Sequence, residues 1–526
     1  MTDKKSFVKG AFVLALANVL VKIIGAVFKI PLARLLGNMG MGIFSTVYSV
    51  YGWVFILATA GLPVAVSKLV SESYARGKGA ETKRILSVSM TLMLIIGAAG
   101  SLFLWFFAEQ LGNIMGTPDA VYGFKAIAPS ILFLSLTAAM RGFFQGRQEM
   151  MPTAVSEVAE AVGKLFAGIF FAGMFLKKGI CYAAAGAMLG VCIGEACGLV
   201  TMLMAYLCSK KRLFSIRCKG ECDSHLRITK RIISLAVPVT LGASVLSLAN
   251  VADTATIMRR LVHAGLTYND ALDVWGAYSG FAVSLFNMPV SLLGAVSICV
   301  VPAVASVYSV AKNSTFVKQT VLSALRLTLL FAVPCGVGLA LLSKPVLLLI
   351  YKNAAATKML SLLGVAVIPV SVSMVAGSVL QATGNTMLPV RNMAIGAAVK
   401  LLINYVLVSL PSVNIMGAPT ATLVSYTVIM ILNLLSVKRI LKISFPVSDF
   451  LLRPIISAAG MALAVTYLYK ALPPGSISTL MIICMGVFSY AVMLFATGAV
   501  KEEDVRILPK GKALVYTLKK AGMIRR

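Results

Sequence analysis

Long apolar stretches separated by short polar breaks recur along the whole sequence, at about 6–36, 40–70, 84–109, 120–145, 151–176, 181–209, 229–259, 276–311, 316–343, 356–384, 388–410, 416–441, 449–470 and 476–499. A hydrocarbon core of about 30 Å takes about 20 apolar residues per helical crossing, and each run approaches or exceeds that length. None shows the alternation over about 10 residues that marks a barrel strand. The pattern predicts an all-α polytopic membrane protein of about fourteen transmembrane helices. The opening stretch, with Lys4, Lys5 and Lys9, has the outline of a signal peptide. It is too long and has no small-residue cleavage site, so it reads as the first helix.

An internal repeat sharpens this outline. Pro63-Val-Ala-Val-Ser67 recurs as Pro302-Ala-Val-Ala-Ser306, and Gln145, Met151-Pro152 and Lys164 recur as Gln381, Leu388-Pro389 and Lys400 at a nearly constant offset. The repeat predicts an N-lobe of six helices over 1–209, a cytoplasmic linker over 210–228 and a C-lobe of six helices over 229–442. Helices 13–14, over 443–499, and a basic cytoplasmic tail over 500–526 follow. Six helices per copy start both copies on the same side, so the lobes should be parallel and related by an axis along the membrane normal. Two such bundles around a midplane site form a transporter architecture.

Composition agrees: of 526 residues 59% are hydrophobic and 13% charged, with a mean hydropathy of +0.92. The net charge of +30 does not point to nucleic acid, because the charge sits mostly in loops and not on a polar fold. With the N-terminus inside, most of the 48 Lys and Arg fall in cytoplasmic segments. Both termini are therefore expected in the cytoplasm of a bacterial inner membrane. Five of nine cysteines (Cys192, Cys197, Cys299, Cys335, Cys484) lie within apolar runs, as small hydrophobes do. Cys218, Cys222 and His225 lack a fourth ligand at metal spacing.

Ionisable groups within the runs are functional candidates, because a charge in hydrocarbon is costly unless it faces water or a partner. Lys22 and Lys29 are seven apart and share a helical face, with Gly25 between them. Counting about 1.5 Å per residue from Ser6 places Lys22 roughly 24 Å along its helix. Lys164 and Lys400 correspond in the repeat, and Glu160 stands four residues before Lys164, a favourable ion-pair spacing. Asp253 is the acid most isolated in an apolar run, shortly before Arg259 and Arg260; Glu157, Glu160 and Glu195 are further acids. Such acids fit either a coupling cation or a cavity salt bridge. No HExxH, Walker, GxSxG or clustered-acid motif is present, so no enzyme and no cofactor is expected. Any uphill work would draw on an Na⁺ or H⁺ gradient or on the membrane potential.

Several segments carry a family resemblance: Lys22-x-x-Gly25 with Ala33-Arg34-Leu-Leu-Gly37, Gly61-Leu-Pro-Val-Ala-Val-Ser-Lys68, Arg141-Gly-Phe-Phe-Gln-Gly146 with Met151-Pro-Thr153, Asn287-Met-Pro289 with Val301-Pro-Ala303, and Gln381-Ala-Thr-Gly-Asn385 with Leu388-Pro389. Together they resemble the polysaccharide-exporter branch of the MOP flippase superfamily, and within it the stage V sporulation protein B and YtgP group, related to the MurJ flippases. The resemblance covers essentially the whole chain. It implies two six-helix lobes around a cationic cavity, a lipid-side groove at helices 13–14, and alternating access that flips undecaprenyl-pyrophosphate-linked sugars.

Lys22 looks like the counterpart of a cavity arginine in MurJ proteins. Phe28 and Ile43 depart from it, standing where MurJ-like patterns carry an arginine and an acid. The expected function is flipping of lipid II by a monomer, with Lys22, Lys29, Lys164, Lys400, Arg259 and Arg260 meeting the anion and Asp253, Glu157 and Glu160 serving coupling or salt bridges. A MATE-type antiporter and a non-transporting scaffold of envelope or spore-cortex assembly are the alternatives.

Overall fold

The computed structural model describes residues 2–213, 223–308, 315–444 and 452–499, and among them there is no strand. The helices are α1 (Thr2–Thr59), α2 (Leu62–Ala75), α3 (Gly79–Phe106), α4 (Ala108–Ile114), α5 (Val121–Gly146), α6 (Met151–Leu176), α7 (Ile180–Leu213), α8 (His225–His263) and α9 (Tyr268–Gly276). They continue with α10 (Val283–Tyr308), α11 (Thr315–Leu341), α12 (Ser343–Tyr351), α13 (Thr357–Ala382), α14 (Met387–Leu407), α15 (Gly417–Leu441), α16 (Arg453–Ala471) and α17 (Ser476–Ala496). Among the described residues, 11 helices are long and apolar enough to cross a membrane. The expected crossings at 6–36, 40–70 and 276–311 are not among these 11. The first two fall on α1 and α2, the third on α9, α10 and the π-helical turn Ala277–Ala282 between them. Cys218 and Cys222, the side chain of Cys299 and the basic tail lie outside the described residues.

Breaks in the helices follow local chemistry. α1 is interrupted at Gly37 (φ 62°, ψ −166°), a conformation essentially open only to glycine. The run 40–70 is also divided, at Ala60 and Gly61, where Pro63 opens α2 in the first turn that tolerates proline.

Packing groups the chain into two compact units. One holds Leu266–Gly276 and the chain up to Val262, the other His263–Gly265 and the chain from Ala277 onward. The second copy of the repeat is expected from the sequence at 229, whereas the first packing unit runs on to Val262.

In the first unit, α7 carries Gly186, Gly190, Gly194 and Gly198 at four-residue intervals, and this ridge sets how closely α6 approaches. A Cβ on Gly190 would sit 2.1 Å from the Cα of Gly168, and one on Gly194 would sit 2.7 Å from the carbonyl oxygen of Glu160. Small residues in register let membrane helices touch backbone to backbone. Phe28 of α1 closes on the same contact: a Cβ on Gly168 would meet its ring at 2.6 Å. Phe28 is 4% exposed and Ile43 0%, so both positions that depart from the MurJ-like pattern are packing positions here.

At the other end of this unit, α8 lies against α2. Ile228, Ile232 and Ala236 share a core with Leu62, Ala65 and Leu69. The amide of Gly61 donates to Thr240 Oγ1 at 3.1 Å. Arg231 spans Glu72 at 3.0 Å and Asp223 at 3.5 Å, and Asp223 also accepts from Arg227 at 2.9 Å. These guanidinium contacts, with Lys78 nearby, hold the Asp223 carboxyl below the usual carboxylate range.

In the second unit α11, α13, α15, α16 and α17 enclose an apolar core that includes Leu329, Val375, Val437, Met461 and Ile482. A buried amide pair ties α14 to α15, Asn392 donating to Asn433 at 2.8 Å. Asn433 in turn donates to the carbonyl of Ser373 in α13 at 3.1 Å.

Candidate functional site

The glycine ridge of α7 has a chemical consequence, because Glu195 follows Gly194 and is carried into the helix interface. Glu195 is 1% exposed. Its Oε1 accepts a hydrogen bond from the Tyr51 hydroxyl at 3.1 Å, and its Oε2 is buried without a partner. A carboxyl so placed is costly unless neutralised by a proton, a cation or a neighbouring charge. The neighbours are at hand: Glu195 interacts electrostatically with Glu160, Lys164 and Arg141.

Arg141 and Glu160 form the tightest pair of the cluster. Arg141 Nη2 reaches Glu160 Oε2 at 3.0 Å and also donates to Ser156 Oγ at 2.9 Å. Ser156 donates onward to the carbonyl of Gly198 at 3.1 Å, tying the α5–α6 contact to α7. The spacing Glu160 to Lys164 suggested a pair along one helix, yet the carboxylate turns across to α5. Arg141, near the end of the run 120–145, is a helical residue of α5 with a side chain 15% exposed. Glu157 is half-buried, with Oε2 lacking a hydrogen-bond partner.

Two lysines face this acidic group. Lys164 lies within electrostatic range of Tyr48, Glu160 and Glu195, and Lys29 of α1 lies within range of Lys164. Both are half-buried, and among the described residues no acid comes within ion-pair distance of either. Tyr48 stacks on Phe44 with ring centroids 5.7 Å apart and leans on Tyr51 at 5.8 Å, lining the approach with aromatic surface. The arrangement is amphoteric: two ammonium groups able to meet an anion, backed by three carboxyls able to hold or release a proton or small cation and by the permanently charged guanidinium of Arg141.

The other candidates lie elsewhere. Lys22 is exposed on α1, one helical face with Lys29. Asp253 is 8% exposed on α8 and is engaged by a neighbour, so the acid most isolated in sequence is not unpartnered in the fold. Arg259 is exposed and reaches the carbonyl of Asn113 at 3.5 Å, while Arg260 is half-buried and also engaged. Lys400 is half-buried in the second unit. Of the residues singled out in the sequence, the structure brings together Lys29, Lys164, Glu157, Glu160 and Glu195. The sequence reading missed Arg141, Tyr51, Tyr48 and Ser156 as site residues, and the four-residue glycine spacing of α7 was the signal that could have drawn them in.

Residues 7–309 match the family described as Polysaccharide biosynthesis protein. The chain belongs to this family. It is 27% identical to Stage V sporulation protein B of Bacillus subtilis (strain 168) over 512 residues, covering 96% of this chain and 98% of that protein. It is also 27% identical to the lipid II flippase MurJ of the same organism over 454 residues, covering 82% of each. Among solved structures, the lipid II flippase MurJ in an inward closed conformation superposes with a TM-score of 0.70 at 17% identity, covering 92% of this chain and 98% of that one. The fold is that of MurJ, and the chain is a multi-pass membrane protein.

Proposed function

We propose that this family member is a flippase for a lipid-linked anionic glycan, carrying lipid II from the inner to the outer leaflet of a bacterial cell membrane by alternating access, as a monomer with both termini in the cytoplasm. The observation that carries the reading is the pair Lys29–Lys164. Two half-buried ammonium groups without an ion-pair partner among the described residues suit the pyrophosphate of such a lipid, whose charge hydrocarbon does not admit. Lys22, on the face of Lys29, extends this basic surface; Lys400, Arg259 and Arg260 are assigned to later stages of the path. The names of the relatives, a lipid II flippase and a sporulation protein, support a peptidoglycan precursor as cargo.

Coupling to H⁺ or Na⁺ is assigned to the acids behind the lysines, Glu195, Glu157 and Glu160, with Asp253 as a further candidate on α8. A cation would compensate the unpartnered oxygens of Glu195 and Glu157 while the lysines are free of cargo. The two copies expected from the sequence repeat would supply the two alternating halves. Purified protein in liposomes with fluorescent lipid II on one leaflet tests the reading. Translocation above that of empty liposomes is expected, and its absence in protein that remains folded contradicts the assignment.

A further inference from the structure

In the second unit, α12 and the turn between α16 and α17 enclose a cavity of about 590 Å³, lined among others by Lys344, Leu348, Tyr469, Lys470, Ser476 and Ile482. Its place is set by the chain. Lys344 follows the end of the span Thr315–Leu341, and Lys470 lies at the end of the span Arg453–Ala471, so the cavity sits at a membrane boundary. No aspartate or glutamate lines it. Both lysines are exposed, and among the described residues neither has an ion-pair or hydrogen-bond partner.

The turn itself is stiff. Leu472 is extended (ψ 145°) ahead of Pro473-Pro474, as a residue before proline must be, and the prolines fix their own φ. It delivers Gly475 to the start of α17 with no side-chain cap. The first amides of α17 and the hydroxyls of Ser476 and Ser478 are left without described partners beside the two ammonium groups. Below this polar rim the lining is apolar: Pro345, Leu348, Leu349, Leu472 and Ile482.

We propose that this cavity binds the headgroup of an anionic phospholipid of the surrounding bilayer. Its phosphodiester lies between Lys344 and Lys470 at the amides of α17, and its acyl chains run along the apolar residues beneath. The charge complementarity is one-sided, with two cations, an open helix N-terminus and no acid. The combination of polar rim and apolar floor fits a bilayer lipid better than a soluble anion. The site lies in the second unit and shares no residue with the Lys29–Lys164 cluster.

Native mass spectrometry of the full chain in detergent, titrated with phosphatidylglycerol or phosphatidylcholine, tests the proposal. The expected preference for phosphatidylglycerol is about thirtyfold, the scale of two lysines acting near an anionic headgroup. The preference should vanish in the Lys344→Gln/Lys470→Gln variant and survive in Lys177→Gln/Lys178→Gln, which removes two exposed lysines elsewhere. Equal affinity for both lipids in the wild type overturns it, as does equal loss in the two variants. So does binding of inorganic phosphate with the same dependence on Lys344 and Lys470.

Discussion

Removing Arg141 should expose how the buried cluster is balanced. Its guanidinium meets Glu160 at 3.0 Å with side chains only 15% and 18% exposed, and it also holds Ser156 at 2.9 Å. Breaking a fully buried pair by deleting one partner costs about 3–5 kcal/mol. The residual exposure lowers this, so Arg141→Met should destabilise by about 2–3 kcal/mol, including about 1 kcal/mol for the hydrogen bond to Ser156. Glu160→Met should cost a similar amount, because it strands the guanidinium with Ser156 as its remaining partner.

The double variant replaces both charges with apolar side chains. It should fall short of the sum by a coupling of about 2 kcal/mol, within the range seen for contacting pairs. Denaturation midpoints of the purified protein in detergent give the four corners of the cycle. Additivity within about 0.5 kcal/mol would refute the assigned pair. A larger coupling between Glu160 and Lys164, measured in a parallel cycle with Lys164→Met, would show that the carboxylate serves the lysine along its own helix instead of the arginine across.

Three further outcomes follow. Gly190→Ala should prevent normal assembly of α6 on α7, since the new Cβ falls 2.1 Å from the Cα of Gly168, whereas Gly173→Ala, whose Cβ meets only Leu35 at 3.9 Å, should accumulate normally; membrane yield and midpoint decide. Asp223, with its carboxyl held low by Arg227, contributes stability that is fully present above the ordinary carboxylate value of about 3.9 and is lost as pH falls through the depressed one. The midpoint-versus-pH curve of Asp223→Asn should be flatter than the wild type's at the acid end, and superimposable curves would remove that contribution. Translocation in liposomes should also lose its dependence on an imposed cation gradient in Glu195→Gln, whereas an unchanged dependence moves coupling away from this carboxyl.

Much of the fold could be read from the hydrophobic runs, because a crossing of the bilayer demands length and apolarity that few other structures share. The break near Gly37 fell in the gap between two runs, but the break at Ala60–Gly61 did not register: the residues around it stay apolar and only backbone geometry changes. The family could also be read, since its motifs lie at turns and helix ends where glycine and proline are locally required.

The site was half legible. Rare charges mark themselves in an apolar run, which is why Lys29, Lys164 and Glu160 stood out. Their partners did not, because pairing across helices depends on which faces touch. Arg141 lies near the end of α5, where a charge at a run's edge does not mark itself. Glu195 was visible as an acid, but its importance comes from the glycine ridge that carries it into the helix interface, and Tyr51 meets it from a stretch more than a hundred residues away in sequence.

Lys29 and Lys164 are proposed to receive the pyrophosphate of a lipid-linked glycan. Lipid II translocation by Lys29→Gln/Lys164→Gln in liposomes, against wild type reconstituted to the same amount and with the same denaturation midpoint, tests it most directly. The variant's rate should fall to that of protein-free liposomes. A rate equal to the wild type's would contradict it.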